Sequence, residues 1–353
     1  MHRLFYALIS LFLSFSSYAA EVNNLYQATA PVTTQQQKER DALAPDLLKQ
    51  VLIKLVGNEN QLSQADIAPV LANATQLVER YEYIRNNIEA ADLTQPDQLS
   101  LRLSFDKNAV NAVIRQLGLP RWGKVRPDVL VWLATDIDGQ QSLQGLENIP
   151  QDVFKPLQQA ADERGLPILM PLMDLQDQSA LSFEDVWSGN DDAIKAASQR
   201  YGADIILVIK MTIHNDTTQI IWQSGTGETR QRWTSEGFIG ASINKGLGVL
   251  VDSLASEYAQ HNQVSDTNKT LSVQIDEVND YADFSRVMAY LNQIDSIDSI
   301  RVNNLGMNIL DLDISYSGDM QVLQRLLSVG GLLSELSEPE GTITDKKYYR
   351  LTH

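Results

Sequence analysis

The sequence predicts a multi-domain protein of α/β and α+β class, with ferredoxin-like (βαββαβ) end domains flanking a central α/β domain built on a mixed sheet. Three observations carry this expectation. Leu99, Leu101, Leu103 and Phe105 alternate with Ser100, Arg102 and Ser104, the pattern of a strand buried on one face. Residues 129–134 are almost unbroken apolar, which suits a strand covered on both faces, as in a parallel sheet. Beyond the polar, pattern-free stretch 264–269, the periodicities run strand, helix, strand, strand, helix, strand. That is the split β-α-β order, whose helices cover one face of an antiparallel sheet.

Taken in order, the chain opens with a lone Arg3, an apolar run from Leu4 to Phe15, and the small-x-small site Ser17-Tyr18-Ala19. This is the grammar of a secretory signal over residues 1–20, cleaved after Ala19 or Ala20. The run is shorter than the ~20 residues a spanning helix needs. Export to the periplasm is therefore expected, with no integral membrane segment after signal removal. The N-terminal βαββα domain, residues 21–121, starts with a strand over 22–28. Its first helix buries Leu47, Leu48, Val51, Leu52, Leu55 and Val56, starts or kinks near Pro45, and is capped by Gly57. Strands over 81–85 and 99–105 precede a helix with Asp106 as N-cap, Val110, Val113, Ile114 and Leu117 on its buried face, and Gly118 and Pro120 as its stop.

The central α/β domain, residues 122–262, begins near the apolar strand 129–134, whose place in the first or second sheet the pattern leaves open. A helix over 153–164 and a strand over 166–172 complete a β-α-β unit. A helix over 191–201, a strand over 205–211, a hairpin of 219–223 with 230–235, and a helix over 241–260 follow. Trp222 and Trp233 are placed to pair across that hairpin. The linker is 263–269. The C-terminal βαββαβ domain, residues 270–353, carries strands over 271–278, 297–303, 307–315 and 348–352. Phe284, Val287, Met288 and Leu291 face its first helix to the core; Val322, Leu323, Leu326 and Leu327 face the second.

Charge and composition exclude several functions. The 353 residues carry a formal net charge of −17, and Arg3 is the only charged residue of the leader. Such a surface repels phosphate backbones and anionic headgroups, so no nucleic-acid partner is expected. With no cysteine, disulfides, thiol nucleophiles and Cys-based metal sites are excluded, and stability outside the cytoplasm rests on cores alone. His214, His261 and His353 have no Cys, Asp or Glu at ligand spacing and read as solvated imidazoles. Asp136-Ile-Asp138-Gly139 resembles the opening of a calcium loop but lacks its closing ligand, and reads as an Asp-Gly turn after a strand. Asp191 and Asp192 suit a helix's first turn; Asp311 and Asp313 share the solvent face of a strand. Gly225-Thr-Gly227 lies in a hairpin turn, and Gly246 and Gly248 lie inside a helix, where close packing explains them. No catalytic, cofactor-binding or metal-binding residue is predicted, and no cofactor.

One cluster stands out. Leu119-Pro-Arg-Trp-Gly-Lys-Val-Arg-Pro-Asp128 gathers Arg121, Trp122, Lys124 and Arg126 in an otherwise acidic chain. It reads first as an interdomain joint stiffened by Pro120 and Pro127, with Trp122 packed between domains. The other reading is a cationic-aromatic patch for an anionic ligand or a partner carboxylate.

Read on through residue 134, this stretch resembles the signature of an exported Gram-negative family labelled domain of unknown function 2066. The segment 200–208 and the closing unit from Asp280-Tyr-Ala through Gly318-Asp319 are similar to that family too. The resemblance implies export and no assigned activity. The central domain's order and its Tyr201-Gly-Ala-Asp204 run also look like envelope α/β domains: the N-terminal domain of the Tol–Pal propeller protein, the curli secretion pore, and lipoprotein activators of peptidoglycan synthases. That likeness implies binding of proteins. The leading expectation is a non-enzymatic periplasmic binding or scaffold protein of the cell envelope, with envelope proteins as partners. The runner-up is a binding protein for a small ligand or cation in an interdomain cleft. A wall hydrolase comes third, and requires carboxylates gathered in one pocket near Asp136 or Asp185.

Overall fold

The computed structural model describes residues 24–86, 98–215, 217–225, 227, 230–258, 269–294, 296–306, 308–316, 319–337 and 346–352. The expected leader, and the linker apart from Lys269, lie outside the described residues. The chain forms a mixed α/β architecture of three sheets, each with its own buried core.

The first module comprises β1 (Gln27–Val32), α1 (Gln37–Val56), α2 (Glu59–Gln64), α3 (Ala68–Ala72), β2 (Val78–Asn86), β3 (Gln98–Phe105) and α4 (Lys107–Gln116). Its sheet runs in the order β1-β3-β2, all antiparallel. Two expectations shift. The first strand starts at Gln27 and runs on through Pro31, and α1 begins at Gln37 and carries Pro45 inside it. The start of α1 is secured by Glu39, whose carboxylate accepts from the backbone N–H groups of Thr33 (2.9 Å) and Thr34 (2.8 Å) and from both hydroxyls. Those bonds, the one from the Thr33 backbone first, hold its pKa down at about 2. At the other end Gly57 takes φ 76° and returns its N–H to Ile53 O at 2.8 Å.

The central module comprises β4 (Val129–Ile137), β5 (Gln140–Gln144), α5 (Gln151–Arg164), β6 (Ile168–Leu169), α6 (Leu175–Ala180), α7 (Phe183–Ser188), α8 (Asp191–Ser198), β7 (Ile205–His214), β8 (Thr217–Ser224), β9 (Gln231–Gly237) and α9 (Ile239–Tyr258). The apolar strand β4 belongs to this sheet, parallel to β7 and antiparallel to β5. Val129, Val131 and Leu133 point to the face covered by α5 and α9; Leu130, Trp132 and Ala134 point to the face covered by α7 and α8. That two-sided burial is why the strand alternates nothing. The β-strand expected over 166–172 shrinks to β6, because Pro167 and Pro171 each lack a ladder donor. Asp138 (φ 49°) and Gly139 (φ 87°) form the β4–β5 hairpin turn, with Gly139 N–H donating to Asp136 Oδ1 at 3.0 Å.

Trp222 and Trp233 sit directly opposite on β8 and β9, stacked at 6.2 Å between centroids. Their indole N–H groups donate to Ser235 Oγ (2.8 Å) and Gly246 O (2.9 Å). Gly246 is required there: a Cβ on it would fall 2.0 Å from Trp222 Cε2. Gly246→Ala should therefore cost about 1–3 kcal/mol by overpacking, despite the ~1 kcal/mol that alanine gains in a helix. A drop in the urea midpoint checks it; an unchanged or raised midpoint contradicts it.

The C-terminal module comprises β10 (Lys269–Asp276), α10 (Tyr281–Leu291), β11 (Ile297–Gly306), β12 (Ile309–Tyr316), α11 (Met320–Ser328), β13 (Leu333–Leu336) and β14 (Lys346–Leu351), with sheet order β11-β12-β10-β14-β13. The expected βαββαβ order gains one strand. After α11 the chain turns through Gly330 and Gly331, both at positive φ, and lays β13 on the sheet edge before β14 returns. The extra reversal makes β14 parallel to β10, where a plain βαββαβ unit would place its last strand antiparallel. On the exposed face, Asp313 takes Arg301 (2.6 Å) and Ser272 (2.8 Å), and Asp311 takes Lys346.

Candidate functional site: the joint and the cleft beside it

The segment 119–128 is short, carries two prolines and reaches all three cores. Leu119 is buried in the core of the first module, Trp122 in that of the central module, and Val125 in that of the C-terminal module. Trp122 N–H donates to Leu55 O at 2.7 Å, tying the segment to the last turn of α1.

Arg126 does most of the joining. Its side chain is 0 % exposed. Nη2 donates to Lys54 O (2.6 Å) at the end of α1, and Nη1 donates to Arg164 O (3.0 Å) and Gly165 O (2.7 Å) at the end of α5. Nε donates to Gly123 O (3.0 Å), and the guanidinium lies 4.1 Å over the Trp122 ring. Helix C-termini carry negative partial charge and unsatisfied carbonyls, so one cation between two such ends answers both. The guanidinium fork suits this role because its donors diverge in a fixed plane. Gly165 leaves room for it: a Cβ there would fall 2.6 Å from Arg126 Nη1.

A second guanidinium, Arg164, extends the seam. It bonds Glu59 Oε2 (2.7 Å), Gly57 O (3.0 Å) and the Asp252 carboxylate of α9. Asp252 also accepts from Glu59 N (3.1 Å) and Asn60 Nδ2 (2.9 Å), and Asn58 Nδ2 donates to Ser256 Oγ at 2.9 Å. Sequence reading passed over these residues. The available signal was position: Arg164 continues the buried stripe Val153, Leu157, Ala160 and Ala161, where an arginine must find partners.

The seam to the C-terminal module is built on Asp204. Its carboxylate accepts from Asp128 N (2.9 Å) and Gly330 N (3.1 Å). Burial raises its pKa, against the lowering effect of those two bonds. A folded-state pKa above the ordinary 3.8 means the folded chain holds the proton more tightly. The resulting stability is present below 3.8 and is lost as pH rises through the folded value. Asp204→Asn should flatten that stretch of the stability–pH curve. Urea midpoints measured across it check this; a slope identical to that of the native chain contradicts it. Arg325 and Glu257 (3.1 Å) add an ion pair across the same seam.

Of the four residues singled out in the sequence, the structure brings Trp122 and Arg126 together and turns both inward. Arg121 and Lys124 are half-exposed. A ligand in solvent does not reach the buried pair. The other acidic candidates are dispersed. Asp136 holds its turn, Asp185 forms a capping box with Ser182, and Asp191 pairs with Arg230. Among the described residues no group of three or more His, Asp or Glu is placed to hold a metal ion, and no helix is long and apolar enough to cross a membrane.

Next to the joint a cleft of about 940 Å³ opens between β1 and α5. Gln27 to Pro31 form one wall, Lys54 and Arg102 flank it, and Phe154, Lys155 and Asp162 face it from α5. Lys54 Nζ donates to Gln27 O at 3.0 Å. Burial lowers the Lys54 pKa, although the Asp162 charge acts to raise it.

Residues 19–123 match a family model described as a domain of unknown function, DUF8605. The match corrects the family expected from the joint motif: the domain found is one of unknown function, but it is not the domain of unknown function 2066. No curated protein matches the chain. Among solved structures, the C-terminal domain of LpoB from Salmonella enterica is similar over 36% of this chain and 89% of its own, at 15% identity and a TM-score of 0.22. An overlap that slight carries no functional argument.

Proposed function

We propose that this chain is an exported, periplasmic scaffold or binding protein of the cell envelope, acting through protein–protein contacts after its leader is cleaved at Ala19 or Ala20. The supporting observation is the joint. Within seven residues, Leu119, Trp122 and Val125 enter three separate cores, and Arg126 and Arg164 tie helix ends across the seam. Such a joint holds three surfaces in fixed relation, which a scaffold needs. The leader grammar supports export, and the acidic surface favours basic partners over nucleic acid. In-cell crosslinking of the tagged chain in a Gram-negative host, against a charge-matched acidic control, tests the proposal. A reproducible envelope partner absent from the control is expected. No such partner, or the uncleaved chain retained in the cytosol, overturns it.

The cleft favours one second reading, a small ligand or cation held between modules. A thermal-shift screen decides it, since a ligand at ~100 times its Kd adds about 2.7 kcal/mol of stability.

A further inference from the structure

In the C-terminal module the first strand, β10, is flanked on both sides, by β12 and by β14. In the N-terminal module the corresponding strand, β1, is paired only with β3 among the described residues. The cleft lies along its other edge.

The register says which backbone groups face that cleft. Phe105 N–H donates to Tyr26 O, and Gln27 lies opposite Ser104. Antiparallel alternation therefore points the N–H and C=O groups of Ala28, Ala30 and Val32 at β3. Those of Gln27, Thr29 and Pro31 point outward. Pro31 fits only such a position, because its nitrogen has no proton to give a ladder. Lys54 occupies Gln27 O from the side. These two residues blunt the ends of the edge, which guards it against open-ended pairing with further copies. Between them, both polar groups of Thr29 and the carbonyl of Pro31 turn into the cleft.

The charge around this edge differs from that of the rest of the chain. Asp162 faces Lys54, and Glu163 is held by Gln159 (2.7 Å) and Asn244 (3.4 Å). The cleft lining thus carries three bases, Lys54, Arg102 and Lys155, against two acids, in a chain with 45 acids against 28 bases. Arg102 also pairs with Glu82 of β2 at 3.6 Å, which leaves Lys155 on α5 as the cation with the freest field.

We propose that the free edge of β1 is a strand-addition site for an extended, acidic segment of a partner protein. Five residues, Gln27 to Pro31, span about 17 Å, which fixes the length of the segment that pairs. Main-chain bonds to Thr29 and Pro31 supply the register, and the cations on either side select an acidic side chain. The proposal rests on the scaffold reading in that this chain works by holding other proteins.

The test uses the mature chain and a labelled peptide, Thr-Val-Glu-Val-Glu-Val-Thr, followed by fluorescence anisotropy. Saturable binding is expected with a Kd on the order of 100 μM. Thr29→Pro removes the outward N–H without touching the β1–β3 ladder and should weaken binding about ten-fold. The same peptide N-methylated at alternate amides should lose affinity to a similar degree, a comparison that leaves the protein unaltered. The lysine isomer of the peptide should bind at least about five-fold more weakly. No saturation, or equal binding by Thr29→Pro, by the N-methylated peptide or by the lysine isomer, overturns the site. A crosslinked partner retained by Thr29→Pro would overturn this edge alone and leave the scaffold reading standing. Absence of any crosslinked partner bears on the scaffold reading and not on the peptide result.

Discussion

Replacing Arg126 with methionine should remove about 3–5 kcal/mol of stability, the largest loss expected from a single substitution in this chain. The guanidinium is buried and donates to the carbonyls of Lys54, Arg164, Gly165 and Gly123. Methionine fills a similar volume but leaves those carbonyls without donors, at two helix ends that carry negative partial charge. Arg126→Lys should recover little, because one ammonium does not span the two helix ends as the fork does. Urea unfolding followed by tryptophan fluorescence reads the change. A loss below about 1 kcal/mol would mean the carbonyls are answered in another way.

Trp122→Ala should follow closely, at about 3–5 kcal/mol. The ring is fully buried, stacks under Arg126, and packs so tightly on the end of α1 that a Cβ on Gly57 would lie 2.7 Å from its Cε3. Its indole N–H finds no acceptor among the described residues. Trp122→Phe should therefore cost much less than Trp122→Ala, since it keeps most of the apolar volume and loses no bond. The same unfolding experiment compares the two. Equal losses would show that volume is not what holds this position.

Much of the fold was legible because the apolar periods are clean. Asp106 caps α4 as its sequence position implies, accepting from Ala109 N at 2.6 Å, and the alternation over 99–105 is β3. The misreadings share a cause: a local signal was overruled by what a neighbouring element supplies. Pro45 reads as the start of the first helix or a kink in it, and the start lies earlier, at Gln37, where Glu39 anchors the chain. The first strand, expected over 22–28, runs on through Pro31, because on an edge that pairs with no strand among the described residues the missing N–H costs no ladder bond. Leu333-Ser-Glu-Leu336 is too short and polar to announce β13, which exists because β14 gives it a partner. The joint was visible as a basic, aromatic, proline-bounded stretch. Its role was not, because no pattern in one stretch of chain shows that Leu119, Trp122 and Val125 enter different cores. Likewise the cleft runs along an edge of β1 that pairs with no strand among the described residues, which the sheet order reveals.

The central claim is that segment 119–128 welds three modules into one body. The cysteine-free sequence makes it directly measurable, because introduced cysteines are the sole labelling sites. Spin labels on the exposed positions Gln76→Cys, Asp192→Cys and Ser334→Cys, taken in pairs, report distances between modules by double electron–electron resonance. A weld predicts one narrow distance distribution for each pair, broadened by Arg126→Met. Broad distributions in the chain that keeps Arg126 would contradict it.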